Sequence, residues 1–299
     1  TARYIVFKYI ILNKNKKIWR LIDLINWGET YFKDKNFDNP RSEIEWLLQD
    51  LLNYKKIDLY LKFEEEIDSE KLFILKSWIK RRVSREPLQY ITGKADFYGR
   101  SYFVNNKVLI PRPETEILID AAIKNLLKKK NPFIIDIGTG SGCIGITLAI
   151  EIKKSNVLSI DISKDALLIA KNNAENHNIK NIKFLEIDVL KNDINQKADL
   201  IISNPPYISK NELSTLMPEV KNHEPKISLT DNKDGFTFYE RFVSLFPKIL
   251  KNDGAAIIEV GREEHSIKVL EIFKKNGMKN IKVVKDLNSD NRAVIINNS

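Results

Sequence analysis

The chain has 299 residues, 43% of them hydrophobic, which suffices for one large α/β domain and a smaller one and excludes a disordered or fibrous protein. A single cysteine, Cys143, excludes an internal disulfide and any multi-cysteine metal site, and points to a reducing compartment, the cytoplasm by default. The net charge of +9 raises the question of a polyanionic partner, but only 11 of the 49 basic residues are arginine and the lysines are scattered, so most read as solvated surface rather than a phosphate groove.

Residues 1–17 contain a short apolar run from Tyr4 to Leu12. Lys8 interrupts it, and Asn13-Lys14-Asn15-Lys16-Lys17 follows where small residues would mark a cleavage site, so the resemblance to a signal-peptide core is weak. These residues are expected to form an extension outside the folded unit. No stretch of the chain approaches the ~18 uninterrupted apolar residues of a membrane span.

Residues 18–85 read as a small helical domain. Ile18, Leu21, Ile22, Leu24 and Ile25 recur at helical spacing, as do Ile44, Leu47, Leu48, Leu51 and Leu52. Pro40 precedes the second helix, and Ser42 with Glu45 has the form of a capping box. A third helix is expected from Ser69 to about Val83. Trp19, Trp27, Trp46 and Trp78 fall among the apolar positions and are expected to pack in the core. Residues 86–112 then read as a linker and hairpin.

The remainder, 113–299, has a different texture. Phe133–Ile137, Val157–Asp161, Ile182–Glu186, Asp199–Ser203, Ala255–Val260, Ile281–Val284 and Ala293–Ile296 read as strands, most of them separated by helix-length segments. Such alternation predicts a mostly parallel, doubly wound α/β sheet, whose ligands sit beyond the carboxyl ends of the strands where strand order reverses.

The segment Asp136-Ile137-Gly138-Thr139-Gly140-Ser141-Gly142 follows the first of these strands and opens a helix. Glycines there allow a sharp turn and a close approach to a ligand. A dinucleotide-binding loop would have the spacing G-x-G-x-x-G, but the third glycine arrives one position early and Cys143 stands in its place. The spacing resembles instead the first motif of class I methyltransferases. Asp161, ending the second strand, is then a candidate acceptor for both ribose hydroxyls of an adenosyl group. Asp188, beyond the third strand, can accept from the adenine amino group, with Val189 packing on or bonding to the base. Each aspartate alone can equally be a helix cap or turn residue. Cys143 reads as a small buried residue, and His177, His223 and His265 show neither metal-ligand spacing nor the context of a catalytic triad.

Asn204-Pro205-Pro206-Tyr207 follows the fourth strand. Two prolines end the strand, remove two backbone donors and leave carbonyls free to accept. If the Asn204 side-chain oxygen and the Pro205 carbonyl accept the two N–H groups of a planar amide or amine, its nitrogen is fixed with one face toward an incoming methyl. Tyr207 is expected to stack on the flat group and exclude water. A glutamine side chain and the adenine N6 amino group of a nucleic acid both satisfy this geometry.

The chain resembles the release factor glutamine methyltransferases, the protein-(glutamine-N5) methyltransferase family, over roughly residues 18–299. Besides the loop and Asn204 to Tyr207, it carries Pro87-Leu88-Gln89-Tyr90-Ile91-Thr92-Gly93, Asp96-Phe97-Tyr98-Gly99, Val108-Leu109-Ile110-Pro111-Arg112-Pro113-Glu114-Thr115-Glu116, His223-Glu224-Pro225, Asp234-Gly235, and Asp286-Leu287 ahead of Arg292. The resemblance implies a Rossmann-like seven-stranded catalytic domain over 113–299 with S-adenosylmethionine as methyl donor and no metal. It implies that Gly138, Thr139, Gly140, Ser141, Gly142, Asp161, Asp188, Val189 and Asn204 contact the donor. Asn204, Pro205, Pro206 and Tyr207 would hold the substrate, with Asn204, Pro205 and Tyr207 catalytic. The substrate implied is the glutamine of the Gly-Gly-Gln motif in class 1 peptide chain release factors, helped into place by the helical domain. Neither direct nucleic-acid binding nor a membrane is expected.

Overall fold

The computed structural model describes residues 18–286 and 288–298, which divide into two compact units, the first ending at Thr92 and the second beginning at Gly93. The run Tyr4 to Leu12, the whole of 1–17, and Leu287 lie outside the described residues.

The first unit contains helices α1 (Leu21–Lys33), α2 (Pro40–Leu52), α3 (Lys56–Leu61), α4 (Ser69–Val83) and the short α5 (Leu88–Thr92). Apolar residues recurring three and four apart give α1 and α2 one apolar stripe each, and the stripes meet: Leu21, Leu24 and Ile25 bury against Ile44, Leu47 and Leu48. Ile18 precedes the first helix and is exposed. The capping box expected from Ser42 and Glu45 does not form. Pro40, its φ already suited to a helix, occupies the first helical position after Asn39, so both residues lie inside α2. Glu45 is instead buried, accepting from Arg41 Nε and Tyr60 Oη, each at 2.8 Å. Of the tryptophans, Trp19 is buried, while Trp27, stacked on Tyr31, and Trp78 are half-buried. Trp46 corrects the expectation of core packing: it falls one residue out of the Ile44, Leu47, Leu48 stripe and is 41% exposed. A partly buried bidentate pair, Arg82 to Glu43 at 2.6 and 2.9 Å, ties α4 to α2.

In the second unit, a hairpin of β1 (Lys94–Phe97) and β2 (Arg100–Phe103) precedes α6 (Glu116–Leu126). The segment 86–112, expected as linker and hairpin, thus supplies α5 to one unit and the hairpin to the other. There follow β3 (Phe133–Ile137), α7 (Cys143–Glu151), β4 (Asn156–Asp161), α8 (Lys164–Asn176), β5 (Ile182–Glu186) and β6 (Ala198–Ser203). After α9 (Pro218–His223), α10 (Lys226–Leu229) and α11 (Thr237–Ile249) come β7 (Leu250–Glu259), α12 (Glu263–Lys275), β8 (Ile281–Lys285) and β9 (Asn291–Asn297).

The seven strands β3 to β9 form one sheet in the order β5-β4-β3-β6-β7-β9-β8, parallel except for β9, which runs antiparallel to both neighbours. Central strands of such a sheet are covered on both faces and must be apolar throughout. All six residues of β6 are buried, and its side chains alternate. Ile201 joins Phe242, Phe246 and Phe273 of α11 and α12, while Leu200 and Ile202 join Leu118, Ile119 and Ile144 of α6 and α7. The chain leaves β3 toward β4 and β5, then returns on its other side as β6. Strand order therefore reverses between β3 and β6, which opens a crevice beyond their carboxyl ends.

Candidate active site

A cavity of about 290 Å³ occupies that crevice. Its wall takes Gly138 and Gly140 from the turn after β3, Asp161 from the end of β4, Asp188 and Val189 from beyond β5, and Asn204, Pro205 and Pro206 from beyond β6. Eight of the twelve residues singled out from the sequence thus converge on one wall. Thr139, Ser141, Gly142 and Tyr207 do not line it.

Gly138 and Gly140 have φ of +73° and +55°, and a Cβ at either would meet nothing within 4 Å. Their backbone is bare where it faces the cavity, so a bound molecule can lie directly on it. The intervening side chains brace the turn instead. Thr139 Oγ1 donates to the buried Asp136 at 2.5 Å, and the Ser141 carbonyl accepts from Asn173 Nδ2 at 2.8 Å. Gly142 is the N-cap of α7.

The two aspartates differ in environment. Asp161 is largely enclosed, and burial raises its carboxyl pKa despite backbone donors. Gly140 N–H donates to one carboxylate oxygen and Ser163 N–H to the other, each at 2.9 Å. A carboxylate offers about four acceptor positions, so each oxygen keeps one for a ligand hydroxyl. Asp188 has its pKa lowered, first by Lys191, which pairs with it at 2.8 Å, and it also caps the following turn through Leu190 N–H. It is a turn residue as well as a wall residue. Val189 is buried and its carbonyl accepts from Arg241 Nε at 2.8 Å, so a backbone contact to a ligand there falls to its N–H.

Asn204 is oriented from behind. Its Nδ2 donates to Thr115 Oγ1 at 3.1 Å, and Thr115 Oγ1 donates to Glu259 Oε2 at 2.6 Å. With the amide nitrogen so engaged, Oδ1 remains as the acceptor of that side chain. The Pro205 carbonyl is followed by a second proline, which has no N–H to extend a strand. Tyr207 does not line the cavity: its ring packs against His265, with centroids 5.5 Å apart, and burial raises the pKa of its hydroxyl. Its carbonyl lies so close to Gly235 that a Cβ there would come within 2.3 Å of the oxygen.

Sequence reasoning missed Thr115 and Glu259 as parts of this site. It also missed that Arg112 and Glu224 pair at 2.5 Å, which joins the Pro-Arg-Pro and Glu-Pro segments across the chain. Glu224 is buried, and burial outweighs Arg112 to raise its pKa. The signal that was available was the segment Pro111 to Glu116 itself, whose composition does not reveal where its polar groups point.

The sheet order, the bare glycine turn and the convergent strand ends define a Rossmann-like class I methyltransferase. Two family models match, the PrmC N-terminal domain over residues 23–93 and the methyltransferase small domain over 114–220. A release factor glutamine methyltransferase of Fusobacterium nucleatum subsp. nucleatum is 39% identical over 276 residues, covering 92% of this chain and 78% of the relative. One of Geobacter sulfurreducens is 33% identical over 283 residues, covering 95% of this chain and 98% of the relative. The chain belongs to the release factor glutamine methyltransferase family. Its fold is also that of the hMettl16 catalytic domain in complex with MAT2A 3'UTR hairpin 1, at a TM-score of 0.57 and 15% identity, with 91% of each chain covered.

Proposed function

We propose that this chain transfers a methyl group from S-adenosylmethionine to the side-chain nitrogen of the glutamine in the Gly-Gly-Gln motif of class 1 peptide chain release factors. The observation that carries the reading is the shared cavity wall: acceptors suited to a planar nitrogen, Asn204 and Pro205, stand on the same crevice as the bare turn at Gly138 and Gly140 and the carboxylate of Asp161. Family membership selects glutamine over the adenine N6 amino group, which the two acceptors alone would equally admit. We assign the first unit, which matches the PrmC N-terminal domain model, to holding the release factor.

The bare glycine turn and the free acceptor positions of Asp161 fit an adenosyl group, whose ribose hydroxyls need a carboxylate and whose remaining atoms need close access to the backbone. S-adenosylmethionine bound there supplies an electrophilic methyl on a sulfonium. The chain's own residues do the rest by orientation. Asn204 Oδ1 and the Pro205 carbonyl accept the two amide N–H groups and turn the face of the nitrogen toward the methyl. An amide lone pair is delocalised, and the two acceptors favour the pyramidal nitrogen that releases it. Orientation of this kind lowers a barrier by roughly 7–11 kcal/mol at best. Transfer of that methyl would leave the donor as a neutral thioether and the amide nitrogen positively charged until a proton passed to solvent, so Asn204 and Pro205 would need no strong base beside them.

Incubation with methyl-labelled donor tests the reading, comparing wild-type release factor, its Gly-Gly-Gln glutamine→alanine variant, and DNA. Label is expected in wild-type release factor alone; label in DNA, or equal label in the variant, would sink the glutamine assignment. For the donor, Asp161→Ala is expected to weaken S-adenosylmethionine binding about ten- to hundredfold, because hydrogen bonds to a charged group contribute roughly 1.5–3 kcal/mol. Calorimetry that finds unchanged affinity removes Asp161 from the ribose.

A further inference from the structure

We propose that Thr115 and Glu259 form a positioning relay that sets which end of the Asn204 amide meets the substrate, directing Oδ1 toward the nitrogen to be methylated. The inference rests on the glutamine-methylation reading above.

Glu259 ends β7, Thr115 closes the short turn Pro113–Thr115, and they are 4% and 3% exposed, so both are largely shielded from water. An ionised carboxylate only accepts, and Thr115 has one hydroxyl proton, which is spent on the 2.6 Å bond to Glu259 Oε2. Toward Asn204 the Thr115 oxygen can therefore only accept, which requires the Asn204 NH₂ at 3.1 Å rather than its carbonyl. A flipped amide would set Oδ1 against an oxygen with no proton to give, and would present N–H groups to a substrate nitrogen that itself offers N–H groups. Both ends of a flipped amide are mismatched, so the relay excludes the unproductive rotamer.

Protonation reverses the sense of the chain. Neutral Glu259 donates to Thr115, whose own proton is then released toward Asn204, and Oδ1 becomes the better partner for it. Several charged groups act on Glu259: Glu114 opposes its ionisation, while Arg292 and Arg112 favour it. The phenols of Tyr207 and Tyr239 also lie near, and Tyr239 Oη donates to the Glu259 backbone carbonyl at 2.8 Å. Burial dominates and brings the carboxyl to a pKa of about 7. The relay is correctly set above that pH, and turnover should decline as pH falls through it.

The test uses the full chain with release factor and S-adenosylmethionine, comparing wild type, Thr115→Val, Thr115→Ser and Glu259→Gln. Thr115→Val is expected to lower kcat roughly 10- to 100-fold, the scale of a misplaced reacting group, with donor affinity and the KM for release factor unchanged. Thr115→Ser, which keeps the hydroxyl, should restore most of that loss. Glu259→Gln should lose the acid limb of the kcat–pH profile that wild type shows. Wild-type kcat in Thr115→Val, a serine variant as poor as valine, an acid limb that survives in Glu259→Gln, or donor affinity falling in step with kcat would each overturn the relay. A wild-type chain that labels no release factor overturns the functional reading instead, and is distinguished by failing before any substitution is made.

Discussion

Asn204→Ala is expected to lower turnover on release factor by roughly 10²–10³-fold, the loss seen when one preorganised hydrogen-bonding group of a catalytic site is removed. The substitution deletes the acceptor Oδ1 and leaves the Thr115 oxygen without the N–H it accepts. The cost should fall on kcat, because two acceptors matter most when the amide nitrogen becomes pyramidal, a change that belongs to the transition state rather than to binding. Donor affinity should persist: Gly138 and Gly140 lie on the turn after β3, Asp161 ends β4, and the hydrogen bonds from Gly140 and Ser163 that hold Asp161 do not pass through Asn204. Single-turnover methyl transfer, paired with calorimetric titration of S-adenosylmethionine, separates the two. Undiminished turnover would refute the acceptor mechanism, and donor affinity falling in parallel with the rate would make Asn204 a binding residue only.

The elements most legible in the sequence were those whose apolar pattern is local. Phe133–Ile137 and Ile182–Glu186 are strands with the bounds their apolar runs suggested, and Ser69–Val83 is the helix its periodicity predicted. Glycine spacing after β3 was equally legible, because the backbone conformation there depends on residues next to one another. Side-chain direction was not. Thr139 and Ser141 flank the wall-lining Gly140 yet brace the turn through Asp136 and Asn173, a choice made by partners on other elements. Tyr207 packs against His265 because α12 returns beside the Asn-Pro-Pro-Tyr turn, a juxtaposition that no window around residue 207 contains. The bonds that orient Asn204 link Thr115 to residues 89 and 144 positions away. Such pairs become visible only once the sheet order is known, since a short motif records which groups are present and the fold decides which of them meet.

Gly235→Ala is the second substitution with a large expected effect, and Gly277→Ala is its control. Both glycines have nearly the same backbone, φ of +89° and +85°, a region where an L side chain costs roughly 1–3 kcal/mol. At Gly277 a Cβ meets nothing within 4 Å, so strain is its whole cost. At Gly235 the Cβ would stand 2.3 Å from the Tyr207 carbonyl oxygen and 3.1 Å from its carbon, and a backbone atom cannot rotate away as a flexible side chain can. Relief requires moving the turn that carries Asn204 to Tyr207, adding an overpacking cost of roughly 1–3 kcal/mol to the strain. Gly235 is also held by its own N–H, which donates to Asp231 Oδ1 at 3.0 Å, so the displacement falls on the Asn204 to Tyr207 turn rather than on the glycine. Gly235→Ala should therefore lose more stability than Gly277→Ala and, unlike it, lower kcat by up to about 10²-fold, the effect of a 1 Å misplacement of reacting groups. Denaturant unfolding and single-turnover methyl transfer on both variants decide it. Equal stability losses together with full turnover in Gly235→Ala would mean that the close approach to Tyr207 is not what positions the acceptors.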